Sequence, residues 1–362
     1  MGDKDSTQPV ENKSPEGEAP PKGPVTSNAG DILPASHWEK IEDNPNVWDA
    51  GSAYNDAVSS TASLSSSIHE YRKHMGRTYA RDIGESEAWA PNDERHINSM
   101  NIHHYAITRM FGNKLFLAPL EKEKVKNVLD IGTGTGVWAI DFGDEFPDAQ
   151  VVGTDVSPIQ PSWVPPNVRF EIDDANVAWT WPNNKFDYLH VRGLLGCIAD
   201  WSKFYKEAFR VTAPGGWMEH HEEDAVWYCH NKPLDENSPM GQWGKVFREA
   251  GNKWGRTFFP ISDDIQKKCM EEAGFVDIRV INYQAPIGEW PTDPEEKQTG
   301  IWFKSVLTSD LEGYVNYVWA ALMGWKPEEI KVYLSHLRRQ MRDPSLHTWY
   351  PHRIVIGRKP AA

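Results

Sequence analysis

The stretch that decides the fold is "VLDIGTGTGVWAIDFG", residues 128 to 143. An apolar run ends in glycine, and further glycines alternate at Gly132, Gly134 and Gly136. Over 135–146 the aromatic residues recur at every fourth position, which predicts one buried helical stripe that stops before Pro147. The stretch therefore predicts a strand, a tight turn and a helix, with a turn whose backbone can come close to a ligand.

Segments on both sides of this unit repeat the alternation of strand and helix. The predicted strands cover 149–156, 168–175, 186–195, 217–227, 275–288 and 352–360, and the predicted helices cover 201–216 and 263–274. This order predicts an α/β fold with a parallel sheet that helices cover on both faces. The helical residues between the last two predicted strands form an insertion that we expect to cap a pocket.

The chain divides into segments of different composition. Residues 1–45 are rich in proline and acidic residues and poor in apolar ones, so we expect them to be disordered. We expect a helical N-terminal lid over 46–120, a catalytic core over 121–290, a helical cap over 291–350, and a final edge strand with a short tail over 351–362.

The spacing of the glycines decides which cofactor we expect. A dinucleotide turn has the pattern G-x-G-x-x-G, whereas this turn is G-x-G-x-G with Val137 next. The carboxylate of Asp130 would oppose a pyrophosphate but would favour an ammonium group. Asp155 ends the second strand, where an acid can accept hydrogen bonds from both ribose hydroxyls. These features favour S-adenosylmethionine, and an oxidoreductase that uses a dinucleotide is the weaker alternative.

The same motifs carry a family resemblance. "VLDIGTGTG", "VVGTDVS" and "PGGWMEHHE" resemble motifs of the class I S-adenosylmethionine-dependent methyltransferases. "GRTYA", "APNDERHINSMNIHHYAITRMFGNKLFLAPL" and "VSPIQPSWVPPNVRFEIDDA" resemble, more narrowly, the fungal LaeA-like methyltransferases. The resemblance implies a Rossmann-like, seven-stranded sheet. It also implies either a tailoring enzyme of natural-product biosynthesis or a regulator of secondary metabolism.

The motifs and the resemblance together yield a set of expected cofactor contacts. Tyr79 either closes over the methionine end of the cofactor, as the narrower resemblance suggests, or packs within the lid. Arg192 faces the cofactor carboxylate or the acceptor, or pairs with surface acids. Asp174 and Ala175 either read the adenine or form an exposed turn. The full set is Tyr79, Asp130, Gly132, Gly134, Gly136, Asp155, Val156, Asp174, Ala175 and Arg192.

Histidines are the candidates for a catalytic base. His103 and His104 fall on the helix before the core, and of these we select His104. His220 and His221 fall on the fifth predicted strand, where alternation directs them to opposite faces. Each of these histidines has a competing interpretation as a core or rim residue. The tryptophans of the later segments either line an acceptor pocket or join the cap to the sheet: Trp179, Trp181, Trp302, Trp319 and Trp325.

Charge and hydropathy limit the class of partner. The formal net charge is −14, which argues against direct binding of nucleic acid. No apolar run is long enough to span a membrane, and the three cysteines show no spacing typical of a metal site. We therefore expect a cytoplasmic methyltransferase that acts on a small molecule. The alternative is a regulator that works through protein partners in a nuclear complex.

Overall fold

The computed structural model describes residues 32–41 and 71–362. The strands are β1 (Arg72–His74), β2 (Arg77–Tyr79), β3 (Asn127–Ile131), β4 (Gln150–Asp155), β5 (Val168–Ile172), β6 (Phe186–Arg192), β7 (Thr212–Glu223), β8 (Tyr228–Cys229), β9 (Val276–Pro286) and β10 (Thr348–Arg358). The helices are α1 (Ala35–Trp38), α2 (Glu94–Met110), α3 (Val137–Glu145), α4 (Trp201–Val211), α5 (Pro239–Trp254), α6 (Ile265–Ala273), α7 (Pro294–Ser309), α8 (Leu311–Asn316) and α9 (Pro327–Met341), and a π-helical segment (Tyr317–Leu322) continues α8.

The central sheet has the predicted α/β architecture. In the described residues its order is β5-β4-β3-β6-β7-β10, with β9 paired to the far side of β10 and the short β8 paired to the start of β10 on the side of β7. Strands β3 to β7 run parallel, and β10 runs antiparallel to β7. After β3 the chain continues to its neighbour β4, toward one edge of the sheet. After β6 it continues to β7, toward the opposite edge. The carboxyl ends of β3 and β6 therefore flank the crevice in which such sheets bind ligands.

The decisive stretch folds as its pattern predicts. β3 ends at Ile131, the glycine turn follows, and α3 begins at Val137. The aromatic stripe of α3 is buried against the sheet, and its rings stack on one another with centroids 4.9 Å and 4.3 Å apart. Burial of this stripe anchors α3 and fixes the position of the turn. The stripe consists of Trp138, Phe142 and Phe146.

The last strand does not lie at the edge of the sheet, so that prediction is wrong. β10 is inserted between β7 and β9 and pairs with both. Its residues Ile354, Val355 and Ile356 are fully buried, as expected for a strand with neighbours on both sides. The edge is β9, where Val276 and Val280 are exposed.

The described parts of the N-terminal region, residues 32–41 and 71–120, differ from the prediction. Within the predicted disordered tail, residues 32–41 are described, and Trp38 is buried against Tyr333 and His336 of α9. The predictions for 1–31 and 42–70 fall outside the described residues. The rest of the predicted helical lid begins with an antiparallel hairpin, β1–β2, and only then continues as α2. Asp93 caps α2 by accepting a hydrogen bond from the backbone N–H of His96.

The insertion before the last strand contains α7, α8, the π-helical segment and α9. One buried carboxylate, Asp310, joins it to the N-terminal region. Asp310 accepts hydrogen bonds from Arg77 at 2.8 Å and lies 2.8 Å from Nδ1 of His96. Its partners hold the pKa of Asp310 below the ordinary value, although burial opposes ionisation. Within 32–41 and 71–362, no helix has the length and apolar composition needed to cross a membrane.

Candidate active site

A cavity of about 260 Å³ lies at the carboxyl ends of β3, β4, β5 and β6. Its floor contains the glycine turn and the residues that follow these strands. Its roof comes from earlier in the chain, mainly from residues 86–92 and from one face of α2. The side chains that α2 contributes are Met100, His103 and His104.

All three glycines of the turn adopt the left-handed conformation, with φ of +69°, +57° and +79° at Gly132, Gly134 and Gly136. A Cβ on Gly132 would lie 2.4 Å from Leu194, and one on Gly136 would lie 2.3 Å from Phe170. A Cβ on Gly134 would meet only the sulfur of Met100, at 3.6 Å across the cavity. The turn therefore presents bare backbone to the cavity at Gly134, whereas at Gly132 and Gly136 the missing Cβ makes room for neighbouring side chains, and Gly136 does not line the cavity.

Asp155 lies on the cavity floor with its carboxylate fixed by the backbone. Its oxygens accept hydrogen bonds from the N–H groups of Gly134 at 2.8 Å and Ser157 at 2.9 Å. Desolvation raises the pKa of Asp155 to about 6 although these bonds oppose the shift. A carboxylate held in this way retains lone pairs for hydroxyl donors of a ligand.

Asp130 also lines the cavity but is more deeply buried. It accepts a hydrogen bond from the hydroxyl of Thr133 at 2.6 Å, and it lies 2.7 Å from Nδ1 of His190. Burial raises the pKa of Asp130 to about 6. The imidazole of His190 stacks on the indole of Trp138 with centroids 3.7 Å apart. Neither His190 nor Trp138 is among the site residues expected from the sequence.

Two buried polar atoms on the cavity wall lack a partner among the described residues. They are Oδ1 of Asn92 and Nε2 of His190. The amide nitrogen of Asn92 is already bound to the hydroxyl of Ser157 at 2.9 Å. Because unpaired buried polar atoms are costly, these two atoms indicate a ligand with polar groups at matching positions. Together with the bare turn and the Asp155 carboxylate, they fit a nucleoside with an amino-acid tail.

The end of β5 differs from the prediction. Asp174 turns away from the cavity and accepts hydrogen bonds from the backbone N–H of Glu85 at 2.8 Å and from the hydroxyl of Ser86. It therefore fastens the roof segment to the sheet. The cavity is lined instead by Asp173 and Ala175, and Val156 lines it after β4 as expected.

His104 and Arg192 meet at the cavity, but His104 is a poor base. Arg192 donates to Nδ1 of His104 at 3.0 Å. Arginine can only donate, so Nδ1 accepts, and Nε2 carries the proton that it shares with Asp141 at 3.0 Å. Both nitrogens are thus in use, and burial lowers the pKa of His104.

His220, His221 and Tyr79 do not line the cavity. His220 is bound between Tyr205 at 2.5 Å and Glu222 at 2.9 Å, and His221 lies 2.7 Å from Glu219. Both imidazoles are buried, on opposite faces of β7, so they serve packing rather than contact with a ligand.

Tyr79 is also fully buried, with its ring 5.5 Å from that of Tyr317. None of the five tryptophans selected from the later segments lines the cavity, whereas Trp89 and Trp138 do. Trp319 packs instead against Trp243 and Phe247. The helical insertion contributes no residue to the cavity lining, so it supports the roof from behind rather than capping the pocket itself.

Comparison with known proteins agrees with this geometry. The family described as "Methyltransferase domain" matches residues 102–280. The chain is 35% identical to methyltransferase pytC of Aspergillus terreus, with 84% of this chain and 93% of that protein covered. The chain belongs to the fungal LaeA-like family of class I methyltransferases. It is accordingly an S-adenosylmethionine-dependent methyltransferase of fungal secondary metabolism.

Other relatives of this LaeA-like methyltransferase have regulatory names. A secondary metabolism regulator of Cochliobolus heterostrophus is 30% identical, with 75% of this chain and 89% of that protein covered. Among solved structures, a Haemonchus contortus phosphoethanolamine N-methyltransferase in complex with S-adenosylhomocysteine matches with a TM-score of 0.43. That match has 18% identity and covers 77% of this chain and 61% of the other.

Proposed function

We propose that this methyltransferase acts on a small, largely apolar natural product. The observation that carries the proposal is the roof of the cavity. Residues 86–92 and the cavity face of α2 cover the strand ends, and their lining is mostly apolar, including Trp89, Pro91 and Met100. An acceptor must fit beneath this roof, which suits a compact molecule with a large apolar surface.

The proposed cofactor contacts follow from the cavity floor. Asp155 would bind the ribose hydroxyls, and the bare backbone at Gly134 would lie against the cofactor. Asp173 and Ala175, rather than Asp174, would contact the adenine. Asp130 would favour the ammonium of the methionine tail, because a carboxylate attracts a nearby cation.

The chemistry depends mainly on positioning. The cofactor supplies an electrophilic methyl group on a sulfonium, and the protein aligns an acceptor atom with it. Alignment of two reactants in one site can be worth roughly 7–11 kcal/mol of the barrier. The roof contributes to this effect by holding the acceptor over the floor and by excluding water.

A cytoplasmic location is part of this proposal, whereas a nuclear one belongs to the second candidate, a regulator that acts through protein partners. One observation favours that candidate. Trp163, in the loop between β4 and β5, has 89% of its surface exposed. Exposed tryptophans are frequent anchors of protein interfaces. Under this second candidate the methyl acceptor, if there is one, would be a protein.

The test uses cofactor labelled in its methyl group, incubated with the full chain and a fungal cell extract. The extract is then separated into small molecules and protein. We expect label in a small molecule, with none when Asp155→Ala replaces the wild type. Asp148→Ala is the matched control, because the Asp148 side chain is 86% exposed and lies outside the cavity. Label in protein that also depends on Asp155 would favour the regulator.

A further inference from the structure

A histidine–carboxylate pair lies on the side of the cavity away from Asp155. Nε2 of His103, on α2, is 2.8 Å from Oε1 of Glu223 at the carboxyl end of β7. Nδ1 of His352, on β10, lies 3.2 Å from the same oxygen. His103 lines the cavity, and 23% of its side chain is exposed. The imidazole therefore has a carboxylate behind it and the cavity in front.

The hydrogen bonding of the three cavity histidines in the described chain separates their roles. Both nitrogens of His104 are used by Arg192 and Asp141. His190 is 1% exposed and stacked on an indole, and burial holds its pKa well below 6.5. Nε2 of His103 lies 2.8 Å from Oε1 of Glu223, and no partner of its Nδ1 is seen in residues 32–41 or 71–362. With Nε2 directed at the carboxylate, Nδ1 of His103 is the nitrogen that carries the lone pair.

The surroundings of the pair are mainly cationic or neutral. Glu223 interacts electrostatically with Arg192 on β6 and with His352 on β10. It also interacts electrostatically with the hydroxyls of Tyr314 on α8 and Tyr350 on β10. Burial opposes the ionisation of Glu223, but its histidine partners hold its pKa well below the ordinary value.

We propose that His103 is the general base for methyl transfer to a hydroxyl oxygen and that Glu223 is its positioning residue. This inference rests on the proposed function and adds the class of acceptor: a phenol or enol hydroxyl on an apolar small molecule. As the oxygen attacks the methyl carbon, the bond from carbon to sulfur breaks and its electron pair stays on sulfur. The hydroxyl proton passes to Nδ1 of His103. The products are a methyl ether and S-adenosylhomocysteine.

Arg192 favours an acceptor that becomes anionic as it reacts over one that becomes cationic. Its guanidinium lines the cavity beside His104, next to the face of α2 that carries His103. A buried positive charge stabilises the oxyanion that develops as the hydroxyl loses its proton. A neutral amine develops positive charge as it is methylated, which the same guanidinium disfavours.

The test compares wild type, His103→Ala and Glu223→Gln, with exposed His230→Ala as the matched control. Each full-length protein receives cofactor labelled with ¹³C and tritium in its methyl group and the small-molecule fraction of a fungal extract, between pH 6 and pH 9.5. Cofactor affinity is measured by calorimetry, and the ¹³C chemical shift of the product distinguishes O-, N-, S- and C-methyl groups.

We expect an O-methyl product, and for His103→Ala an unchanged cofactor affinity and a rate about 100-fold lower or more at pH 7. The rate of this variant should keep rising with pH as the acceptor ionises by itself, whereas the wild-type rate reaches a plateau. Glu223→Gln should lower kcat with little change in KM.

A His103→Ala variant with at least half of the wild-type rate, or an N-, S- or C-methyl product, would overturn the assignment and leave the proposed function intact. Equal loss of cofactor binding and rate would also overturn it, because His103 would then be structural. If the wild type labels no small molecule, the proposed function fails and the assignment fails with it.

Discussion

Replacing Asp155 with asparagine is expected to weaken the binding of S-adenosylmethionine while leaving the fold intact. The carboxylate is held by the N–H groups of Gly134 and Ser157 and offers its remaining lone pairs to the ribose. A hydrogen bond to a charged group is worth about 1.5–3 kcal/mol, so the dissociation constant should rise roughly 10- to 150-fold at pH 7.5. Isothermal titration calorimetry measures this change directly.

The pH dependence of binding provides a second measure of the same reasoning. The pKa values of Asp155 and Asp130 are both raised to about 6, and the cofactor hydroxyls and ammonium favour the ionised carboxylates. Protonation at lower pH therefore opposes binding. Well below pH 6 the wild-type dissociation constant should rise by about two log units per pH unit, and that of Asp155→Asn by about one.

Two results would refute this reasoning. One is an asparagine variant that binds within threefold of wild type at pH 7.5. The other is a dissociation constant that depends on pH below pH 6 with the same slope for Asp155→Asn as for wild type. Thermal unfolding of both proteins excludes a loss of fold as the cause. Asp148→Asn is the control for a charge lost from the exposed surface.

Three further changes test the fold around the site. Gly136→Ala places a Cβ 2.3 Å from Phe170 at a left-handed φ, so the free energy of unfolding, measured with urea, should fall by about 1–3 kcal/mol or more. Asp174→Ala removes the anchor of the roof at Glu85, so limited proteolysis near that residue should become faster, and an unchanged cleavage rate would contradict the anchor role. Asp310→Asn leaves the Arg77 and His96 groups without their buried anion and should cost about 3–5 kcal/mol in the same urea measurement, whereas a loss below 1 kcal/mol would show that the bridge is unimportant.

The residues of the cavity floor could be predicted from the sequence because they lie in or next to strands that short stretches of sequence reveal. The glycines, Asp130 and Asp155 lie in or directly after strands whose apolar runs are evident. Parallel strands bring their carboxyl ends to one edge. Strand alternation also predicted that His220 and His221 point to opposite faces, as they do.

The residues of the cavity roof could not be predicted from the sequence, because their positions depend on contacts between distant parts of the chain. Asn92 reaches Ser157, and Glu85 reaches Asp174, across stretches that no local periodicity relates. The contact between Glu85 and Asp174 explains why the expected adenine contact of Asp174 is wrong. The Asp174 carboxylate holds the roof segment instead.

Strand order within the sheet also lies beyond a local pattern. The sequence predicts an edge strand over 351–362, whereas β10 pairs with both β7 and β9, which its local apolar pattern does not specify. Trp38 was missed for a similar reason. One large aromatic in a polar segment can dock on a distant helix, here α9, without a repeating pattern around it.

The division of the cavity into floor and roof has a consequence for how such enzymes diversify. The floor lies within residues 102–280, which match the shared methyltransferase domain, whereas Trp89, Pro91 and Met100 precede that range. Part of the apolar acceptor surface is therefore encoded upstream of the shared domain, whereas His103 and Arg192 lie within it. Drift or recombination in the short upstream stretch can change which product is methylated while the cofactor machinery is inherited intact.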